Sequence, residues 1–222
     1  MTLYTVHRKD IPLDGRHVAY LAVQSSTGLQ QFTTAKWLFI EQGGVWAQPI
    51  VSLQSDDTVD NYLAAARYLV DQGYTAPSRL AIGSPTGEGP SIVSSCIAKA
   101  PYLFAVALVT GKLTGTTPTT CTNLVGQAAK AATPTTAQVY GVATPFYQLQ
   151  AKKSYPATWV MAAAAPEATA LPHAAKLVAQ LQYLQPSGRP ILLYTPANAC
   201  RATVDYWSFV WYYTQLQKTT PA

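Results

Sequence analysis

Charge is the scarcest property of this 222-residue chain: 11% of its residues are Asp, Glu, Lys or Arg, against roughly 25% in ordinary globular proteins. Disordered chains combine low hydrophobicity with high charge, and here 49% of residues are apolar, so disorder is excluded. Cysteine is also sparse. Cys96, Cys121 and Cys200 are odd in number and form no CxxC, which argues against a disulfide framework or a zinc site. No uncharged apolar run comes near the ~18 residues of a membrane span; the longest are Leu103–Val109 and Trp159–Ala165. The amino terminus, MTLYTVHRKDIPLDG, has no apolar signal core and is no Arg/Ser-rich amphipath, so no targeting segment is evident and an intracellular location is expected. A chain of this length is one large domain or two small ones, and it can bury a core without metals or disulfides. So few charges suggest that part of its surface is not exposed to water.

The charges present are unevenly placed. Residues 1–88 carry a net −2 and residues 89–222 a net +7. A basic half can mean nucleic acid or anionic lipid. Apart from Lys152-Lys153, however, its cations are scattered singly, with no Arg/aromatic stripe, so no nucleic-acid partner is expected.

Along the chain, Ala19–Val23, Lys36–Ile40 and Val45–Val51 read as short strands, with a turn at Gln42-Gly43-Gly44. Val59, Tyr62, Leu63, Ala66, Leu69 and Val70 make one apolar stripe at three- and four-residue steps, which predicts a helix. Asp56 or Asp57 can cap its start and Gly73 its end. Leu80–Ile82 is a short strand, followed by the turn GSPTGEGP and a helix over Ser91–Ala100. Phe104–Val109 is continuously apolar, as parallel strands covered on both faces are. Ala157–Met161 and Ile191–Thr195 read as strands, Pro172–Leu184 and Val204–Gln217 as helices. Strand and helix in alternation predict a doubly wound, mostly parallel α/β sheet in a single domain spanning 1–222. Residues 111–145 break the pattern. Ten of the thirty-five are threonine, three are proline and none is acidic, as in an extended loop or inserted arm.

A tight Gly-rich turn between strand and helix is where α/β-hydrolases present a nucleophile, on a G-x-S-x-G elbow. Here the turn is Gly83-Ser84-Pro85-Thr86-Gly87-Glu88-Gly89, and no register sets Ser or Cys between two such glycines. The phosphate-loop pattern fails too, because Pro90 stands where its lysine would be. A Gly-rich connection that merely packs is the plain alternative.

Residues 62–104 resemble the catalytic domain of the prolyl oligopeptidase family, oligopeptidase B included. Tyr68–Leu80 (YLVDQGYTAPSRL) and Ala100–Phe104 (APYLF) follow that family's helix-to-strand segment and the helix end beyond its G-G-S-x-G-G turn. Fainter likeness extends upstream, through Asp14-Gly15, Tyr20-Leu21 and Glu41–Val45, and downstream, through Tyr155-Pro156 and Leu171–Tyr183. The resemblance implies an α/β-hydrolase fold over nearly the whole chain outside the Thr-rich region, without the family's β-propeller. Its nucleophilic serine then falls on Thr86 or Gly87, its acid on Pro166 beside Glu167, and its histidine on Arg201. Its oxyanion-hole tyrosine falls near Gln24. Every catalytic position is altered, so the resemblance implies a domain whose triad is lost.

The order of residues agrees independently. A triad on this fold runs nucleophile, acid, histidine, with histidine as general base. Beyond the turn the only histidine is His173, and the acids are Glu167 and Asp205. Asp205 follows His173, and Glu167 lies only six residues before it, so neither pair supplies a base from a separate loop. No His/Asp/Glu pair stands at metal-ligand spacing, and no cofactor is expected. The expectation is a catalytically inactive domain that serves as a structural or interaction subunit of a larger protein assembly, a mitochondrial complex by analogy with other inactive enzyme folds. A peptide or small-molecule binder that keeps the old cleft, and a hydrolase rewired to use Thr86 or Ser84, are the alternatives. Candidates for the interface are Tyr206, Trp207, Phe209, Trp211, Tyr212 and Tyr213. These aromatics occupy two stripes of one helix, Trp207-Val210-Trp211-Thr214 and Tyr206-Phe209-Tyr213-Leu216, of which the domain is expected to cover one.

Overall fold

Alternate residues of each central strand leave opposite faces of one sheet, and each face has its own helices. The computed structural model describes residues 2–23, 33–51, 57–84, 89–110, 148–162, 170–195 and 199–215. Seven strands, β1 (Thr2–Val6), β2 (Ala19–Ala22), β3 (Val45–Ile50), β4 (Leu80–Ser84), β5 (Val106–Thr110), β6 (Ala157–Met161) and β7 (Ile191–Tyr194), lie in the order β1-β3-β2-β4-β5-β6-β7. β1 runs antiparallel to β3; every other pairing is parallel. This is the mostly parallel, single-domain α/β architecture expected from the sequence.

Three helices, α2 (Thr58–Asp71), α3 (Gly89–Lys99) and α4 (Ala170–Leu184), cover one face. Their Leu63, Leu69, Val93, Ile97, Leu177 and Leu181 pack with Leu21, Val45, Ile82 and Val109 of the strands. The other face is aromatic. There α1 (Thr34–Glu41) and α5 (Ala199–Gln215) bring Phe39, Tyr206 and Val210 against Tyr20, Trp46, Leu108 and Trp159. Helix α2 ends as its sequence suggests: Gly73, at φ +74°, donates to Val70 O while Tyr74 N donates to Leu69 O, the paired bonds of a Schellman cap. At its start the Asp57 side chain makes no capping bond.

Three expectations change. Lys36–Ile40, expected as a strand, lies inside α1. Thr33 is extended and its hydroxyl accepts the Lys36 N–H, which starts a helix. Phe39 and Ile40 then point inward while Trp37 and Leu38 stay exposed, and Lys36 lays its Nζ 4.6 Å over the Trp46 ring. Second, β1 forms an edge strand that no apolar run announces, because its residues are half-buried or exposed in alternation.

Third, the two stripes of α5, as far as Gln215, converge on one inward face. Tyr206, Val210 and Thr214 are buried along its centre. On one side Trp207 meets Tyr20 and Phe39, each at 5.2 Å between ring centres, and Trp211 meets Phe39 at 5.3 Å. On the other, Phe209 lies 5.9 Å from Trp159 and Tyr213 lies 4.6 Å from Phe209. Long aromatic side chains reach the sheet from well off the centre line, so the domain covers more of the helix than a single stripe. Of the six interface candidates, Tyr206 is consumed by the core, four are half-buried, and only Tyr212 is largely exposed. The Thr-rich stretch 111–145 lies outside the described residues. Among those described, no helix is long and apolar enough to cross a membrane.

Candidate active site

The chain steps from β2 outward to β3, then returns across β2 to β4, so connections leave in opposite directions at the carboxyl ends of β2 and β4. That reversal opens the crevice where α/β sheets bind ligands, and the Gly-rich connection starts there, at the end of β4. Its floor is closed by packing. Val23 N donates to Gly83 O at 2.8 Å, and the Thr110 hydroxyl donates to the Ser84 carbonyl. Two glycines admit this closeness. A Cβ on Gly89, in the first turn of α3, would overlap the Ser84 side chain and come within 3.0 Å of Val23 O; one on Gly83 would strike the hydroxyls of both Tyr20 and Tyr206.

Ser84, one of two nucleophiles considered for a rewired site, has no solvent-accessible surface. The other, Thr86, lies outside the described residues, as do Gly87, Pro166, Glu167 and Gln24.

Arg201 is described. Sequence periodicity starts the last helix at Val204, yet α5 begins at Ala199, so Arg201 stands in a helical turn. Its guanidinium is exposed and its Nε lies 3.6 Å from Asp205 Oδ2, one turn onward. The same oxygen accepts a 2.5 Å hydrogen bond from the Tyr194 hydroxyl at the end of β7. That bond, more than burial, holds the Tyr194 phenol above its ordinary pKa, because losing the proton would set two anions together. At the place where the resemblance implies a base, the structure sets a cation tied to a carboxylate. An arginine cannot accept a proton near neutral pH.

The histidines are placed elsewhere. His17 precedes β2, with Nδ1 3.1 Å from the Gly43 carbonyl and Nε2 3.8 Å from Asp14. His7 follows β1 and packs its ring against Tyr74 at 5.6 Å. Both lie at the amino end of the parallel strands, the far end of the sheet from the crevice. His173 belongs to the first turns of α4; its side chain lies outside the described set. Among the described residues no group of three His, Cys, Asp or Glu could hold a metal ion. Two pairs escaped the sequence reading, Tyr20–Tyr206 and Tyr194–Asp205. For the first no local signal exists, since 186 positions separate its members.

A sequence profile of the prolyl oligopeptidase family matches residues 40–199. Among solved structures, the chain superposes on a prolyl endopeptidase with a TM-score of 0.80 at 24% identity, over 97% of this chain and 36% of that one. Prolyl oligopeptidase B from Galerina marginata, bound to a 25mer macrocyclization substrate, matches with a TM-score of 0.80 at 21% identity, over 96% and 35%. Oligopeptidase B from Leishmania major matches at 0.76 and 18% identity, over 96% and 34%. At these identities the likeness is one of fold, and the chain spans about a third of the length of each structure.

Proposed function

We propose, from the premise that this chain belongs to the prolyl oligopeptidase family, that it keeps the family's fold without its hydrolysis and serves as a structural or interaction subunit of a larger protein assembly. One observation carries the first half. The position to which the resemblance assigns the family's histidine is Arg201, held in a helical turn and paired with Asp205, while His7 and His17 lie at the other end of the sheet. Acyl transfer needs a base beside the nucleophile to take its proton, and arginine does not serve as one. Supporting it, Ser84 is sealed beneath Gly89. For the second half, support comes from the low charge, 11% of residues, and from Tyr212 and Val204, exposed on the outer side of α5. We propose a mitochondrial complex as the assembly; the basic excess of residues 89–222, net +7, favours that setting, and fold analogy alone does the rest.

Two measurements test the reading. A serine-reactive phosphonate should leave the intact chain unlabelled, and turnover of proline-containing peptides should stay at the solvent rate. Stoichiometric labelling at Thr86 or Ser84 would overturn inactivity. Native mass in extracts of its source should show the chain within a larger particle, and a free monomer throughout would remove the subunit role.

A further inference from the structure

Six Lys and Arg residues of the second half lie in described segments: Lys99, Lys152, Lys153, Lys176, Arg189 and Arg201. Three of them, Lys99, Lys153 and Arg189, line a single cleft of about 500 Å³. They come from three separate places in the chain, the end of α3 and the connections before β6 and before β7. The cleft therefore lies at the amino ends of β4 to β7, opposite the crevice described above. No carboxylate lines it; Pro77, Pro101, Tyr102 and Phe104 form its apolar wall.

Helix-end compensation accounts for one of the three cations. Lys99 is the last residue of α3, where a positive charge suits the helix dipole, and its Nζ also meets Asp60 at 2.5 Å. Lys153 and Arg189 sit at no helix end, and among the described residues neither has a carboxylate partner. Yet the segments that carry both are tied to one buried residue. The Tyr155 hydroxyl accepts from Gln150 N at 2.7 Å and donates to Gln150 O at 2.9 Å, which ties down the turn that carries Lys153. That turn includes Lys152 at φ +65°, the one described residue other than glycine with positive φ. On the other side, Tyr155 N donates to Gln185 Oε1 at 2.9 Å and Gln185 Nε2 donates to Tyr155 O at 3.0 Å, anchoring the loop that leads to Arg189. Like charges that line one cleft repel one another, and a multiply charged anion removes that cost.

The volume lies within the roughly 300–1,000 Å³ of small-molecule sites. A guanidinium fork with two ammonium groups suits a phosphate better than a lone carboxylate, since Arg binds phosphate through paired bonds and Lys as a point charge. Tyr102, with 67% of its surface exposed, leaves a ring free to lie against a flat apolar group. We propose that this cleft binds a small phosphate-bearing organic anion, its phosphates on Lys99, Lys153 and Arg189 and its apolar part against Tyr102 and the proline wall.

Calorimetric titration of the intact chain tests this with pyrophosphate, adenosine triphosphate, adenosine and a hexaglutamate peptide as probes. Pyrophosphate and the triphosphate should bind, the triphosphate more tightly, and adenosine should not. Lys153→Ala combined with Arg189→Ala should weaken both by about tenfold or more, the loss expected of one charge-assisted bond, and Lys153→Gln alone should weaken them less. Lys176→Ala, outside the cleft, should change nothing. Absence of binding by both phosphates would overturn the proposal, as would equal binding by the double variant at an unchanged melting temperature, or preference for the acidic peptide.

Discussion

The hydroxyls of Tyr20 and Tyr206 are hydrogen-bonded to each other beneath Gly83, one on the first parallel strand and the other on the last helix. Both side chains are buried among aromatic rings, and among the described residues each hydroxyl has the other as its polar partner. Tyr206→Phe strands the Tyr20 hydroxyl and should destabilise the fold by about 1–3 kcal/mol. Adding Tyr20→Phe should then cost little more, because the orphaned group is gone. Chemical denaturation of the two single variants and the double variant measures this; strictly additive losses would mean that the hydroxyls are not coupled.

High pH should act on the same pair. Burial raises the pKa of both phenols in the folded state. Below about pH 10, the ordinary tyrosine value, both are neutral folded or unfolded, and their contribution is intact. Above it only the unfolded chain ionises, so stability falls as pH rises. The ultraviolet absorbance of tyrosinate should report these two phenols only as the chain unfolds. Early titration of all phenols, with the fold intact, would contradict the burial.

Cys96 follows the same logic. It is fully buried, and burial first, then the nearby Asp60 charge, raises its thiol pKa. The thiolate is the reactive form, so alkylating reagents at neutral pH should spare Cys96 until denaturant is added. Peptide mapping by mass spectrometry locates the label, and rapid native labelling at Cys96 would refute its placement.

Two glycines of similar conformation should answer differently to the same change. Gly73 (φ +74°) would place a Cβ 2.5 Å from the Leu13 carbonyl oxygen, whereas Gly188 (φ +68°) faces open space. Gly188→Ala should cost about 1–2 kcal/mol, the strain of a left-handed residue. Gly73→Ala adds a backbone clash and should cost clearly more. Thermal melts of the two variants decide it.

Along α5, Val210 has no accessible surface while Tyr212 is 57% exposed. Val210→Ala should cost roughly 1–3 kcal/mol, and Tyr212→Ala should stay within about 0.5 kcal/mol for the isolated chain. If α5 contacts a partner, Tyr212→Ala should instead lower the fraction of chain found in the native assembly.

Much of the fold was legible because β4, β5 and β6 are buried on both faces, which forces continuous apolar runs, and because α2 has a single buried stripe. Leu80–Ile82, Ala157–Met161 and the Tyr62–Leu69 periodicity therefore announced themselves. Lys36–Ile40 did not, since five mostly apolar residues suit a strand or a short helix equally; the Thr33 cap and the side chains facing the sheet decide between them. At the candidate site, that His173 is the only histidine beyond the turn could be read directly, because a residue type is either present or absent. That Arg201 is helical could not. Helix α5 packs on β4 and β5, far off in sequence. The burial of Ser84 is likewise set by Gly89 and Val23 rather than by its own neighbours alone.

The place of α5 has a consequence for biosynthesis. Its partner Tyr20 leaves the ribosome near the start of translation, and Tyr206 follows 186 residues later. Until then the aromatic face of the sheet, Tyr20, Trp46 and Trp159, has only α1 of the two helices described on it. Contacts of such sequence separation form slowly, and a nascent chain with bare apolar surface is prone to aggregate. Nascent chains stalled before α5 should accordingly require a chaperone that shields aromatic surface, and that requirement should end once the last helix emerges.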